Sequence, residues 1–152
     1  LGDVYKRQVN GKFTEKQRMV YEVVLAANRA IAKTAKPGMT LRELNDVCKK
    51  VLAEGCIRMG LIEKEEEIGK YYMHGVSHHL GIDVHDVSVA FNSKLRPGAV
   101  ISDEPGLYID EWEIGIRVED DLLITEDGCE CLSEDVMRTP DEIEAFMAEA
   151  HK

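Results

Sequence analysis

Cysteine is sparse in this chain of 152 residues: Cys48, Cys56, Cys129 and Cys131 form no C-x-x-C pair and fall far short of disulfide-scaffold density. Neither a zinc ribbon nor an extracellular disulfide staple is therefore supported, and reduced thiols are expected. Cys129 and Cys131 would share one face of a strand, where a pair of packing residues is the ordinary explanation. Long apolar runs are also missing. None approaches the roughly 20 residues needed to cross a bilayer, and the first residues lack the basic-then-apolar layout of a secretory signal, so a cytoplasmic protein with no membrane partner is expected. Basic residues are outnumbered, 19 against 29 acidic ones, for a net charge of -10. With no Lys/Arg cluster and no interleaving of aromatic and basic residues, nucleic acid is not an expected partner. No repeat or flexible linker interrupts the chain, and 44% hydrophobic content over this length suits a single core.

What is present reads as helices first and strands later. Thr14 with Gln17 makes a capping box, and Val20, Val23, Val24, Ala27 and Ile31 recur at helical spacing up to Lys36, before Pro37-Gly38 stops the helix. A second helix begins at Thr40 with Glu43 in the capping position, turns Leu41, Leu44, Val47, Val51 and Leu52 inward, and ends near Gly60. Glu63 to Glu67 is a solvated turn or short helix. Short β-prone segments follow at Ala99 to Ser102, Leu107 to Ile109, Ile114 to Val118 and Leu122 to Thr125. Thr139, Pro140 and Glu142 open a last helix through Ile143, Phe146 and Met147. The pattern predicts an α+β fold, helices with antiparallel strands. Leu1 to Gln8 is set apart, because Asp3 to Gln8 is what GATGTGTATAAGAGACAG encodes, a string matching a transposon-end adapter. Residues 1–8 are expected to be scar, and residues 9–152 the C-terminal part of something longer.

Four of the five histidines crowd into Met73 to Asp86, and two separate glutamates follow in Glu104-Pro105-Gly106 and Arg117-Val118-Glu119-Asp120. Imidazole and carboxylate gathered in this way suggest a metal-centred site. Strand alternation would put Gly115, Arg117, Glu119 and Asp121 on one side and Ile114, Ile116 and Val118 on the other. Arg117 beside Glu119 is equally well a structural ion pair. Glu104 precedes a turn at the end of a β-prone run, where site residues commonly sit, although surface glutamates sit there too. His74 and His78 are four apart, but Gly75 and the β-prone surroundings favour a loop or strand over a helix.

In order and spacing, Met73-His74-Gly75-Val76-Ser77-His78, Gly81 to Asp86, Glu104-Pro105-Gly106-Leu107-Tyr108 and Gly115 to Asp121 resemble the pita-bread metallopeptidases. Within these the likeness is to the Xaa-Pro aminopeptidases (aminopeptidase P), whose relatives include prolidase and methionine aminopeptidase. It covers nearly everything from Val9 onward, and implies an α+β pita-bread fold, a curved antiparallel sheet flanked by helices, with residues 9–152 the C-terminal part of an N-terminally truncated catalytic domain. The resemblance implies hydrolysis of the bond before a proline in second position of a peptide substrate, at two divalent ions, usually manganese, and a homo-oligomer when full length. It further implies that His78 binds one metal, Glu104 joins it and also takes a proton from the attacking water, and Glu119 bridges both ions. His85 would stabilise the oxyanion, His74 would line the substrate cleft, and Arg117 would support the carboxylates. Two upstream aspartates normally complete such a centre. One is absent here, and Gly2-Asp3 imitates the other from inside the adapter-like string, so this chain alone is expected to be inactive. Asp103 stands where the family generally has an aliphatic residue. Alternation should point it away from the metals, either paired or near solvent. His79 is expected to be a packing neighbour.

Prolidase is the nearest alternative. A non-catalytic peptide-binding module of the same fold would not need His78, Glu104 and Glu119 together. A mononuclear, cupin-like oxygenase using His74, His78, His85 and one carboxylate is satisfied on ligand count alone.

Overall fold

In the computed structural model, residues 11–87 and 93–150 are described. Leu1 to Gln8, with Asp3, lie outside them. Three helices open on the same local device. Thr14 caps α1 (Glu15–Thr34) with Gln17, and Thr40 caps α2 (Leu41–Arg58) with Glu43, each with hydroxyl and N3 side chain bonded reciprocally to the other's backbone. Thr139 does the same with Glu142 at the start of α3 (Pro140–Ala150). α1 ends at Thr34, short of Lys36, where the Ala35 N–H closes on the Ile31 carbonyl. No helix among the described residues is long and apolar enough to cross a membrane.

The apolar face of α1, Val20, Val24, Ala27 and Ile31, is wholly out of water and meets α2 through Leu44, Cys48 and Leu52. The two helices cross closely at Gly55, where an added Cβ would lie 2.2 Å from a methyl of Val23. On α2, Val47 and Val51 are half-buried, while Cys48 and Cys56 take the fully buried positions. Burial pushes the Cys48 thiol up to about 12 and that of Cys56 to about 11, so both stay protonated near neutral pH and pack in the core. Ile143 anchors α3 to the core and Met147 leans on it, but Phe146 is 54% exposed. The acidic run continues into a short 3-10 turn, Glu65–Lys70, tethered by buried Ile68.

All named strand pairs are antiparallel. β1 (His79–Leu80), β2 (Val100–Asp103), β5 (Asp120–Ile124) and β6 (Cys129–Cys131) form one sheet in the order β1-β2-β5-β6, and β3 (Gly106–Ile109) pairs with β4 (Ile114–Arg117) in a second. β2 runs into β3 and β4 into β5, so the four strands make one long ribbon. Its ladder is broken at Glu104-Pro105 on one arm and at Val118-Glu119 on the other. Proline has no N–H to give a ladder, and at the break the Val118 N–H donates to the Pro105 carbonyl. Unbroken alternation from Gly115 would carry Asp121 to the same side as Arg117 and Glu119, but the break intervenes. Instead Asp120 is buried and Asp121 exposed on a strand of the other sheet. His79 is half-buried and pairs with Ile101.

Candidate metal centre

Both glutamates singled out by sequence lie at the break in the ribbon. The chain before β1 brings His78 to the same place, because the Ser102 N–H donates to the His78 carbonyl at 2.9 Å and the Glu104 N–H to the Val76 carbonyl at 2.9 Å. One ligand atom from each of His78, Glu104 and Glu119 lies within 4.8 Å of the others. Glu104 is 7% exposed, and its carboxylate is held at both oxygens: Ser102 Oγ donates to Oε1 at 3.2 Å and Arg117 Nη1 to Oε2 at 3.2 Å.

The ring of His78 provides the test of whether a cation fits. A carbonyl can only accept, so Nδ1, 3.1 Å from the His79 carbonyl, carries the proton and Nε2 is left with its lone pair. That Nε2 is buried without a hydrogen-bond partner among the described residues, although Glu104 Oε1 is only 3.0 Å away. Two electron-rich atoms so close, out of line for a shared proton, with a second carboxylate beside them, form a donor set that suits a hard or borderline divalent ion.

The other expected residues surround this group. The His85 ring stands edge-on to that of His78 with centroids 4.4 Å apart, and its side chain is exposed. His74 is further out: Nδ1 donates to the Gly75 carbonyl at 2.8 Å, and Nε2 accepts from the Tyr108 hydroxyl at 2.9 Å. The Tyr108 oxygen in turn accepts from Arg117 Nε at 2.9 Å. A chain of directed hydrogen bonds thus joins His74 to Tyr108, Arg117 and Glu104. Its roles are fixed by arginine having only donors and the carboxylate only acceptors.

Tyr108 and Ser102 carry contacts that sequence reasoning assigned to no one. Tyr108 was visible only as the end of the Glu-Pro-Gly-Leu-Tyr stretch, yet the glycines around it mark its place. Its cross-strand partner is Gly115, and an added Cβ there would lie 3.3 Å from the Tyr108 ring; one at Gly106 would lie 2.8 Å from its hydroxyl. Ser102 read only as the end of a strand. Asp103 corrects an expectation. Its carboxyl is neither paired nor near solvent: it is fully buried and both oxygens lack a hydrogen-bond partner among the described residues. Burial, and then the nearby Asp120 and Glu104, push it well above the usual carboxylate range.

Comparison with known proteins shows the family. Residues 2–126 match the profile of metallopeptidase family M24. The chain belongs to that family. The Xaa-Pro aminopeptidase of Escherichia coli is 38% identical over 170 residues, taking in 99% of this chain and 38% of that protein. The Xaa-Pro dipeptidase of Pyrococcus furiosus is 36% identical over 134 residues, 86% of this chain and 35% of that protein. Among solved structures, a Bacillus anthracis protein assigned as an aminopeptidase P superposes with a TM-score of 0.89 at 52% identity, covering 92% of this chain and 33% of the other. The architecture is accordingly the α+β pita-bread fold of the M24 peptidases. This chain spans little more than a third of the length of the curated relatives it matches.

Proposed function

We propose that this M24 chain supplies one wall of the active site of an Xaa-Pro aminopeptidase, with His78, Glu104 and Glu119 as metal ligands. The observation that carries the proposal is the unpartnered His78 Nε2 facing the Glu104 carboxylate with Glu119 beside them. One imidazole among carboxylates favours manganese over metals that prefer sulfur or several histidines. When bound, two such ions supply a water that ionises near neutral pH. The chain's own residues do the rest. Glu104, oriented by Ser102 and Arg117, accepts the proton. His85, exposed beside His78, donates a hydrogen bond to the charge developing on the scissile carbonyl oxygen. His74, fixed through Tyr108, lines the cleft near the prolyl ring, which offers no N–H of its own. The described residues bring together one nitrogen and two carboxylates, too few donors for two ions. We infer that the remaining ligands come from a part of the full-length protein outside residues 9–152, and that this chain alone is inactive. Four cysteines with no pairing pattern support a cytoplasmic setting.

The test is the full-length protein, stripped of metal with a chelator and reloaded with Mn²⁺, assayed on a tripeptide with proline second, on the matching Xaa-Pro dipeptide and on an alanine analogue. Release of the first residue from the tripeptide, dependent on metal and on proline, is expected. Cleavage confined to the dipeptide would move the assignment to prolidase, and two ions bound without any hydrolysis would leave a peptide-binding module.

A further inference from the structure

Ser102 is fully buried at the end of β2, and its hydroxyl is used twice. It lies 2.9 Å from the backbone nitrogen of His78 and 3.2 Å from Oε1 of Glu104. The directions are forced: the amide can only donate and the carboxylate only accept, so Oγ takes the His78 proton and gives its own to Glu104. The Ser102 N–H also donates to the His78 carbonyl, so one residue pins both backbone polar groups of His78. Glu104 Oε1 is moreover the atom 3.0 Å from His78 Nε2. The backbone of His78, Oγ of Ser102, the Glu104 carboxylate and the His78 ring therefore close a small loop, and the gap between the two facing donor atoms is set by a single hydroxyl.

We propose that Ser102 is a positioning residue that fixes the separation of His78 Nε2 and Glu104 Oε1 for a divalent ion. This rests on His78 and Glu104 being ligands, as argued under Proposed function. Partners of this kind, outside the ligands themselves, typically govern metal affinity by about 10- to 100-fold. In the full-length protein, with Mn²⁺ as the probe and binding followed by electron paramagnetic resonance, Ser102→Ala is expected to weaken binding by about that factor. Ser102→Thr, which keeps the hydroxyl, is expected to remain within a few-fold of wild type, and Ser102→Val, of threonine's shape without the hydroxyl, to match alanine. Near-uniform affinity across the folded variants would overturn the proposal. Should Ser102→Ala fail to fold, the threonine and valine pair decides by the same criterion. His78→Ala is the control for the reading beneath it: if wild type and His78→Ala bind Mn²⁺ equally, the ligand assignment falls and Ser102 with it. A loss in His78→Ala alone, with Ser102→Ala unchanged, overturns only the role of Ser102.

Discussion

Asp103 ends β2 with its carboxyl out of water and no donor bonded to either oxygen. The neighbours explain how this arises. Ser102 and Glu104 turn toward His78 and Arg117, so pleating sends the residue between them the other way, toward the helix-covered side. There burial chiefly, and Asp103 in addition, raise the thiols of Cys48 and Cys129, and its cross-strand partner is Asp120, whose own carboxylate is satisfied by Ser133 at 2.6 Å and Arg138 at 3.0 Å. Asp103 has nothing comparable. Leaving a buried polar group without a partner costs about 1–3 kcal/mol. Asp103→Val should therefore stabilise the protein by about that amount, several degrees in Tm, without loss of metal binding. A thermal melt of the variant against wild type checks it, and a lower Tm for Asp103→Val would count against the account. The direction of this side chain follows from strand alternation. Whether a donor would meet it there depends on α1, α2 and β6, which no local pattern reports.

At the level of elements, the segments most legible beforehand were those built from local signals. All three helix starts were readable because a capping box needs only residues three apart. The bend in the ribbon was not, because it depends on which strand pairs with which: Arg117 is in register with Gly106 and Asp120 with Asp103, and the two pairings belong to different sheets. The loop bearing His74 is held in an equally non-local way. Asn45 of α2 accepts from the Tyr72 hydroxyl at 2.7 Å and the Val76 N–H at 3.2 Å, and the Tyr108 N–H donates to the Tyr71 carbonyl at 3.0 Å. Glu111, in the 3-10 turn Asp110–Trp112, fastens this region by accepting from the Tyr71 hydroxyl and from Lys70 at 3.0 Å. The Tyr71 hydroxyl first, then a backbone N–H and Lys70, hold the Glu111 carboxyl at about 2, below its ordinary 4.5. A carboxyl lowered on folding contributes stability that is present above the unfolded value and lost as pH falls toward the folded one. Glu111→Gln should thus melt below wild type at neutral pH, and the difference should close between the ordinary glutamate range and about pH 2. A constant difference across a pH series of melts would remove the ion pair as its source.

Taken as a whole, the molecule draws its proposed ligands from three places: the chain leading into β1, the end of β2 and the start of β5. The residue types were legible as metal chemistry, and the motifs were legible as a family. Their convergence was not, because it requires the ribbon to break at both glutamates and β1 to lie alongside β2. Separation along the chain has a thermodynamic consequence. The unfolded state cannot hold three such distant donors together, so an ion that binds them binds the native state and stabilises it through mass action. With free Mn²⁺ about 100-fold above its dissociation constant, the gain is about 2.7 kcal/mol. Thermal melts with increasing Mn²⁺ should therefore show a Tm that climbs with the logarithm of free Mn²⁺ once this exceeds the dissociation constant, and His78→Ala or Glu119→Ala should remove most of the rise. Mg²⁺, a harder ion that keeps its waters and has little taste for imidazole, should produce a much smaller rise at the same concentration. Equal shifts for wild type and His78→Ala would mean that the ion is bound elsewhere on this acidic surface, and the three side chains at the bend would then be an ordinary buried ion-pair cluster.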